Sequence, residues 1–415
     1  MGDATLRMAP GAQDSAAIEL LLTFARAAHG AGYPTADLEE RVAALADALG
    51  LPDAEISATP TLVDLSVGAL PQQRTYSIRV RPAAVDLDAI GRLDDLVAEI
   101  LEGRRTAEEA LPALDAVAAQ RLERPWPLLL AAYGIAGAAL TPVHGGGWRE
   151  TAAAGLVGLV VGAIAIPAAR RARTEPMVAP LAAVAAAFAA AALPELGFEA
   201  SPDIVTLAAL VTFLPGMTLT IGMRELATEH LQSGVANTAS ALVQLLGLVF
   251  GVGIGRSIAQ SWFGPTVEVV PSAGFSVTQL LGAVAAGLAF TLTLRARFRS
   301  ALVMCSATVL ALSVDAAAGE VVGDEAAVFC AALTIGIVGG LLGARFRRSP
   351  LVFIVPGVLM LVPGSAGFNS ALQLLTDQTV SGVGAAFDTF LTAVSIAYGL
   401  MVSAMLLPRR TTGET

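Results

Sequence analysis

The sequence predicts a mainly α-helical membrane protein: ten transmembrane helices in two inverted five-helix repeats, preceded by a soluble α+β cytoplasmic domain. Three observations carry that prediction. Mean hydropathy is +0.69, and 55% hydrophobic against 14% charged residues over 415 positions is more apolar than a soluble protein of this size. The charge is uneven: residues 1–124 hold most of it, whereas 125–408 is a succession of apolar runs near the ~20 residues that span a bilayer. Finally, Pro215-Gly216 followed by Ser233-Gly234-Val235 returns 148 residues later as Pro363-Gly364 followed by Ser381-Gly382-Val383.

In the first part, Ile18, Leu21, Leu22 and Ala25, then Leu38, Val42, Leu45 and Leu49, recur at helical spacing on either side of the breaker run Gly30 to Pro34. Two amphipathic helices follow. Residues 54–81 alternate and are rich in Val, Ile, Thr and Tyr, with a turn at 71–74, which predicts two or three strands. Helices over 86–102 and 106–121 complete the domain. Two prolines in Arg124-Pro125-Trp126-Pro127 set its boundary, so the domains are 1–124, 125–258 and 259–415.

The ten spans fall near 127–143, 151–168, 177–195, 203–222, 235–256, 276–294, 300–317, 325–343, 351–369 and 384–407. Adding 148 to the first five lands on the second five, and an odd number of spans per half inverts the second half. The repeat is not strict, since Pro356-Gly357 has Ala208-Ala209 at the matching positions. Arginines then set the topology. Arg121, Arg124, Arg170, Arg171, Arg173, Arg224, Arg295, Arg297, Arg299, Arg345, Arg347, Arg348, Arg409 and Arg410 fall on one side, with only Arg149 and Arg256 on the other beside Glu195, Glu199, Glu268, Glu320 and Asp377. Both termini are therefore expected in the cytoplasm of an inner-membrane, multi-pass protein.

The net charge of -10 gives no support for nucleic-acid binding. All 25 basic residues are arginine, which reflects codon usage rather than mechanism. Cys305 and Cys330 sit in apolar runs and build neither a disulfide framework nor a metal site. Met1-Gly2-Asp3-Ala4 does not open a cleavable signal peptide. His29, His144 and His230 have no second ligand at metal spacing, so no metal or cofactor is expected.

Several separated segments carry a family likeness. These are Glu39 in a helix leading to Ala48-Leu49-Gly50-Leu51, Thr59-Pro60-Thr61 in a strand, and Val85-Asp86-Leu87 at a helix start. In the membrane part they are Leu214-Pro215-Gly216, Arg224-Glu225-Leu226, His230-Leu231-Gln232-Ser233-Gly234, Phe353-Ile354-Val355-Pro356-Gly357 and Leu361-Val362-Pro363-Gly364-Ser365. With these, the chain resembles the threonine/serine exporters in their fused single-chain form, over roughly residues 15–407. The resemblance implies export of small amino acids driven by the proton gradient. Split relatives of that family are associated with dicarboxylate export, which keeps a dicarboxylate substrate as the alternative.

A helix broken at the bilayer midplane exposes amides on one half and carbonyls on the other, and these suit the carboxylate and ammonium of an amino acid. Pro215, Gly216, Pro363 and Gly364 would shape such a site, with hydroxyls from Thr212, Thr218, Thr220 and Ser365. Those hydroxyls bind substrate or bond backbone carbonyls; Asn237 and Asn369 have the same two options. Asp388, an ionisable group in the last span, is the candidate for proton coupling, with a place at the outer interface as the other reading. Arg224 and Glu225 end the fourth span as an intracellular gate or as a topology anchor. Gly234 and Gly382 start matching spans and serve packing or a turn.

A membrane-anchored hydrolase built on His29, Ser57, Thr59 and Thr61 is the alternative of a different class. No nucleophile elbow, metal pair or phosphate loop accompanies those residues, so no enzyme is expected. The expected partners are an amino-acid substrate, protons and the lipid bilayer. A regulatory role for the first domain stays open.

Overall fold

A computed structural model describes residues 12–407 apart from 82–83, 121, 172–173, 265–276, 347, 363 and 376–378. Pro363 therefore lies outside the described residues, as do Met1-Gly2-Asp3-Ala4 and the loop charges Arg121, Arg173, Glu268, Arg347, Asp377, Arg409 and Arg410. The chain divides into two compact units, Met1–Leu122 with Phe346–Ser349 and Arg409–Thr415, and Glu123–Arg345 with Pro350–Pro408.

The first unit opens with α1 (Ala12–Gly30) and α2 (Thr35–Ala48), then β1 (Glu55–Ala58), β2 (Leu62–Val67) and β3 (Arg74–Arg79), then α3 (Leu87–Leu101) and α4 (Ala107–Ala119). The strands form one antiparallel sheet in the order β1-β2-β3, with Ser57 opposite Asp64 and Asp64 opposite Ser77. Period-two alternation buries Ala58, Val63 and Leu65 and leaves Ser57 and Ser77 exposed. Phe24 of α1, Leu38 and Leu45 of α2, Ile90 and Leu93 of α3 and Leu114 of α4 are fully buried and make the core.

Two residues of the likeness have structural work here. Glu39 Oε1 accepts the Ala58 backbone N–H at 2.6 Å and so ties α2 to β1. Asp86 caps α3 by accepting from Ala89 N at 3.0 Å. Below them the Tyr33 hydroxyl donates to Asp94 Oδ1, which also lies 3.3 Å from Arg41. Burial, and then the Asp94 carboxylate, hold the Tyr33 phenol well above its ordinary range.

The second unit is helical: α5 (Trp126–Leu140), α6 (Trp148–Ala169), α7 (Val178–Ala192), α8 (Pro202–Ala209), α9 (Gly216–Ala227) and α10 (Leu231–Phe263). Then come α11 (Val277–Thr293), α12 (Ala301–Val322), α13 (Asp324–Phe346), α14 (Leu351–Leu361), α15 (Gly364–Leu375) and α16 (Thr379–Leu406). Among the described residues eight helical stretches are long and apolar enough to cross a membrane, and α8 with α9, bent by 47°, makes a ninth if counted as one span. The sixth expected span, 276–294, coincides with α11, whose 17 residues follow directly on the undescribed 265–276.

Helices pack here through small residues, as they do where lipid removes the hydrophobic advantage of helix association. A Cβ on Gly251 would lie 2.4 Å from Pro180 O, and one on Gly255 2.5 Å from Val184 O, so α10 and α7 touch backbone to backbone. Gly399 of α16 meets Phe329 O of α13 at 2.8 Å in the same sense.

One close contact is found twice at the 148-residue offset. A Cβ on Gly234 would lie 2.8 Å from Leu226 N, and one on Gly382 2.9 Å from Leu374 N, the same pair shifted by 148. Between halves the contacts are exchanged. Leu219 and Met223 of α9 pack with Ala393 and Ala397 of α16, while Phe368, Ala371 and Leu372 of α15 pack into the cluster holding Leu245 of α10. Each short helix after a break thus packs on the long helix of its own half and also touches that of the other half.

Candidate functional site: the crossed helix breaks

The residue before a proline is pushed out of the helical region, and Leu214 and Val362 each precede one. Both are extended, at ψ 123° and 132°. The backbone therefore leaves the helix at these two points, and α9 and α15 restart at Gly216 and Gly364.

The two breaks cross. A Cβ on Gly216 would lie 1.6 Å from Val362 Cγ1 and 3.2 Å from Gly364 N, and one on Gly364 would lie 2.9 Å from Leu214 Cβ and 3.5 Å from Gly216 N. Only glycine fits at either place, and the amino ends of α9 and α15 converge there. The first amides of a helix have no partner within it and carry partial positive charge, so their convergence favours a carboxylate.

Around the crossing, Pro215, Gly216 and Gly364 are buried and Thr218 and Ser365 are half-buried. The hydroxyls of Thr212 and Thr220 are buried with no hydrogen-bond partner among the described residues. Gln244, absent from the expected set, reaches from α10 to donate to Phe213 O at 2.8 Å and so satisfies a carbonyl freed by the break. A polar residue in the apolar run of α10 was the signal that could have found it.

Other expected site residues are not brought to the crossing. Asn369 is exposed on α15; its neighbour Ser370 is the buried one, donating to Gly382 O at 2.9 Å. Asn237 Nδ2 instead donates to Glu225 Oε2 at 2.6 Å. Glu225 is 1% exposed and its Oε1 is buried without a partner among the described residues. Nine residues of helix separate it from Gly216, about 13 Å along the axis. Arg224 beside it is half-buried in the last turn of α9.

Asp388, the expected coupling group, is exposed on α16 between exposed Phe387 and Phe390, because the helix turns Thr389 inward, against Gly367, and Asp388 outward. Asp315, half-buried inside α12, was overlooked, although the rule that selected Asp388 applies to it equally. At the ends of the helices, Arg149 pairs with Glu199 at 2.9 Å and Arg256 with Asp203 at 2.5 Å, so each arginine expected on the sparse side has an acid against it.

Among the described residues no group of three or more His, Cys, Asp or Glu is placed to hold a metal. In the first unit, His29 Nε2 donates to the Pro60 carbonyl at 3.0 Å, Thr59 Oγ1 donates to Leu62 O at 3.1 Å, and Ser57 is exposed. The imidazole is spent on a backbone carbonyl rather than on a nucleophile.

Apolar helices of membrane length, small-residue packing and broken helices define a multi-pass membrane protein of transporter type. Residues 19–259 match the ThrE family model, described as "Putative threonine/serine exporter", and residues 274–406 match ThrE_2, described as "Threonine/Serine exporter, ThrE". The chain belongs to the threonine/serine exporter family, which is a family of transporters and not of enzymes. It is 22% identical over 395 residues to the "Threonine/serine exporter" of Corynebacterium glutamicum, covering 91% of this chain and 80% of that one. It is 25% identical over 411 residues to the "Probable threonine/serine exporter" of Mycobacterium tuberculosis, covering 94% and 76%. A "Pheromone-regulated membrane protein 10" of Zygosaccharomyces rouxii is 23% identical over 350 residues, covering 82% of this chain and 36% of that protein. No solved structure matches.

Proposed function

We propose that this chain exports threonine, serine or similar small polar amino acids across the inner membrane by secondary active transport, coupled to protons moving inward. In this reading residues 1–124 are a soluble cytoplasmic domain, and 125–258 and 259–415 are five-span repeats of opposite topology with both termini in the cytoplasm. Alternating access comes from one repeat moving against the other.

The observation that carries the proposal is the crossing of the two breaks. The amino ends of α9 and α15 meet at Gly216 and Gly364 and suit the substrate carboxylate. The carbonyl ends of α8 and α14 suit its ammonium group, and the Thr212 and Thr220 hydroxyls, each without a partner among the described residues, suit a hydroxyl side chain. Pro215 shapes the first break, with Thr218 and Ser365 near the crossing, and Pro363 is the proline that the sequence sets at the second. Support for the substrate comes from the relatives named as threonine/serine exporters.

The test is counterflow of radiolabelled threonine in proteoliposomes, with and without an imposed pH gradient. Threonine exchange that the gradient accelerates is the expected result. Movement of succinate with none of threonine would overturn the amino-acid assignment.

A further inference from the structure

We infer that Glu225 is the carboxylate that takes up and releases the coupled proton, at a site between α9 and α10 distinct from the helix breaks. The inference rests on proton-coupled export as proposed above, and three observations support it.

The first is the state of the carboxylate. Glu225 is 1% exposed, Asn237 Nδ2 holds Oε2 at 2.6 Å, and Oε1 is buried without a donor among the described residues. Leaving a buried carboxylate oxygen bare is costly, and a proton on Oε1 removes the charge. Thr238, next to Asn237, adds a second buried oxygen, its hydroxyl, with no partner among the described residues, against Gly222.

The second is the comparison between halves. Shifted by 148, Glu225 becomes Gln373, Asn237 becomes Ala385, Thr220 becomes Phe368 and Thr238 becomes Ala386. Yet the surrounding backbone is built alike, with Gly234 on Leu226 N at 2.8 Å and Gly382 on Leu374 N at 2.9 Å. The fold therefore accepts a neutral amide of the same shape at this place, and the ionisable group belongs to the first half alone.

The third is distance. About 13 Å of helix lies between Glu225 and Gly216, more than one small amino acid spans. A substrate held at the crossing cannot reach this carboxylate, which leaves the proton as its ligand.

The charged and titratable groups around it are few. Its own end of the helix carries Arg224, Glu229 and His230, whose backbone N–H donates to Glu225 O at 2.8 Å while its ring meets Thr228 Oγ1 at 3.0 Å. Of the elements packed on α9, α10 contributes Arg256, paired with Asp203, and α16 contributes the exposed Asp388 and Tyr398; α14 and α15 contribute none. In the step itself hydronium gives its proton to Oε1 and becomes water when the carrier is open to the outside, and Oε1 returns the proton to water when it is open to the cytoplasm. Asn237 remains on Oε2 throughout.

The experiment compares wild type with Glu225→Gln in proteoliposomes, reading threonine counterflow, gradient-driven transport and the acid-minus-alkaline infrared difference spectrum. The expected variant keeps counterflow, loses gradient stimulation and its pH dependence, and lacks one carboxylic-acid carbonyl band. Retained gradient stimulation, or an unchanged spectrum, would overturn the inference. If wild type moves no threonine, the export reading fails, while the infrared comparison still decides whether Glu225 binds a proton. If Glu225→Gln loses counterflow as well, Asn237→Ala decides: a shifted pH dependence of driven transport supports the role, and an unshifted one overturns it.

Discussion

Gly216 and Val362 occupy each other's space: a Cβ on the glycine would fall 1.6 Å from Val362 Cγ1. Shifting both partners by the repeat exchanges the pair, since Gly364 meets Leu214 Cβ at 2.9 Å. A contact that maps onto itself in this way is what a local two-fold relation between the breaks produces.

Gly216→Ala is accordingly expected to lower thermal stability in detergent and to abolish threonine counterflow. Overpacking of this kind costs about 1–3 kcal/mol. Val362→Ala removes Cγ1, so the double variant should regain part of the melting temperature. Absence of any recovery would place the damage elsewhere than at the crossing.

The matched glycines make a paired prediction. Gly234 faces Leu226 Cγ and N at 2.7 and 2.8 Å, and Gly382 faces Leu374 Cγ and N at 2.9 and 2.9 Å. Because backbone nitrogen cannot move aside, Gly234→Ala and Gly382→Ala should both destabilise, and by similar amounts. Melting curves of the two variants check this; a large inequality would mean that the halves are not built alike here.

Gln244→Leu deletes the donor to Phe213 O at 2.8 Å. An unsatisfied buried carbonyl costs about 1–3 kcal/mol. The variant should lose stability and exchange threonine more slowly, while Gln244→Asn, which shortens the donor but keeps it, should fall between. Melting temperature and counterflow rate measured on the same preparations distinguish the two effects.

His29 gives the first unit a pH dependence. Burial lowers its pKa below the ordinary 6.5, against the smaller opposing effect of the Pro60 hydrogen bond. The unfolded chain then binds a proton that the folded one refuses, so this contribution is present above about pH 6.5 and is lost as pH falls through the folded value. His29→Gln should flatten the fall of stability on the acid side of 6.5 in denaturation curves. Transport by Ser57→Ala should match wild type, because Ser57 is exposed and His29 does not activate it.

Much of this was legible along the chain. Helical spacing around Leu21 and Leu45 and alternation around Val63 and Leu65 are local patterns, and the elements formed where they lie. Pro215 and Gly216 announced a break because proline lacks an amide donor whatever surrounds it. The side on which Asp388 falls was not legible, because an acid in an apolar run has no sidedness in sequence: the helix turned it outward and turned Thr389 in. Glu225 looked like a span end, and its hydrogen-bond partner Asn237 lies twelve residues on and across a turn.

Composition and spacing by themselves determined that this protein enters a membrane and where the Pro-Gly break at Pro215 and Gly216 falls, because each depends on transfer energies and backbone restrictions of neighbouring residues. The tertiary structure alone decided that the two breaks meet, with Gly216 against Val362, and that Glu225 rather than Asp388 is enclosed. Those outcomes depend on which helix faces pack together across 148 residues, and a linear pattern carries no record of the partner a face will find.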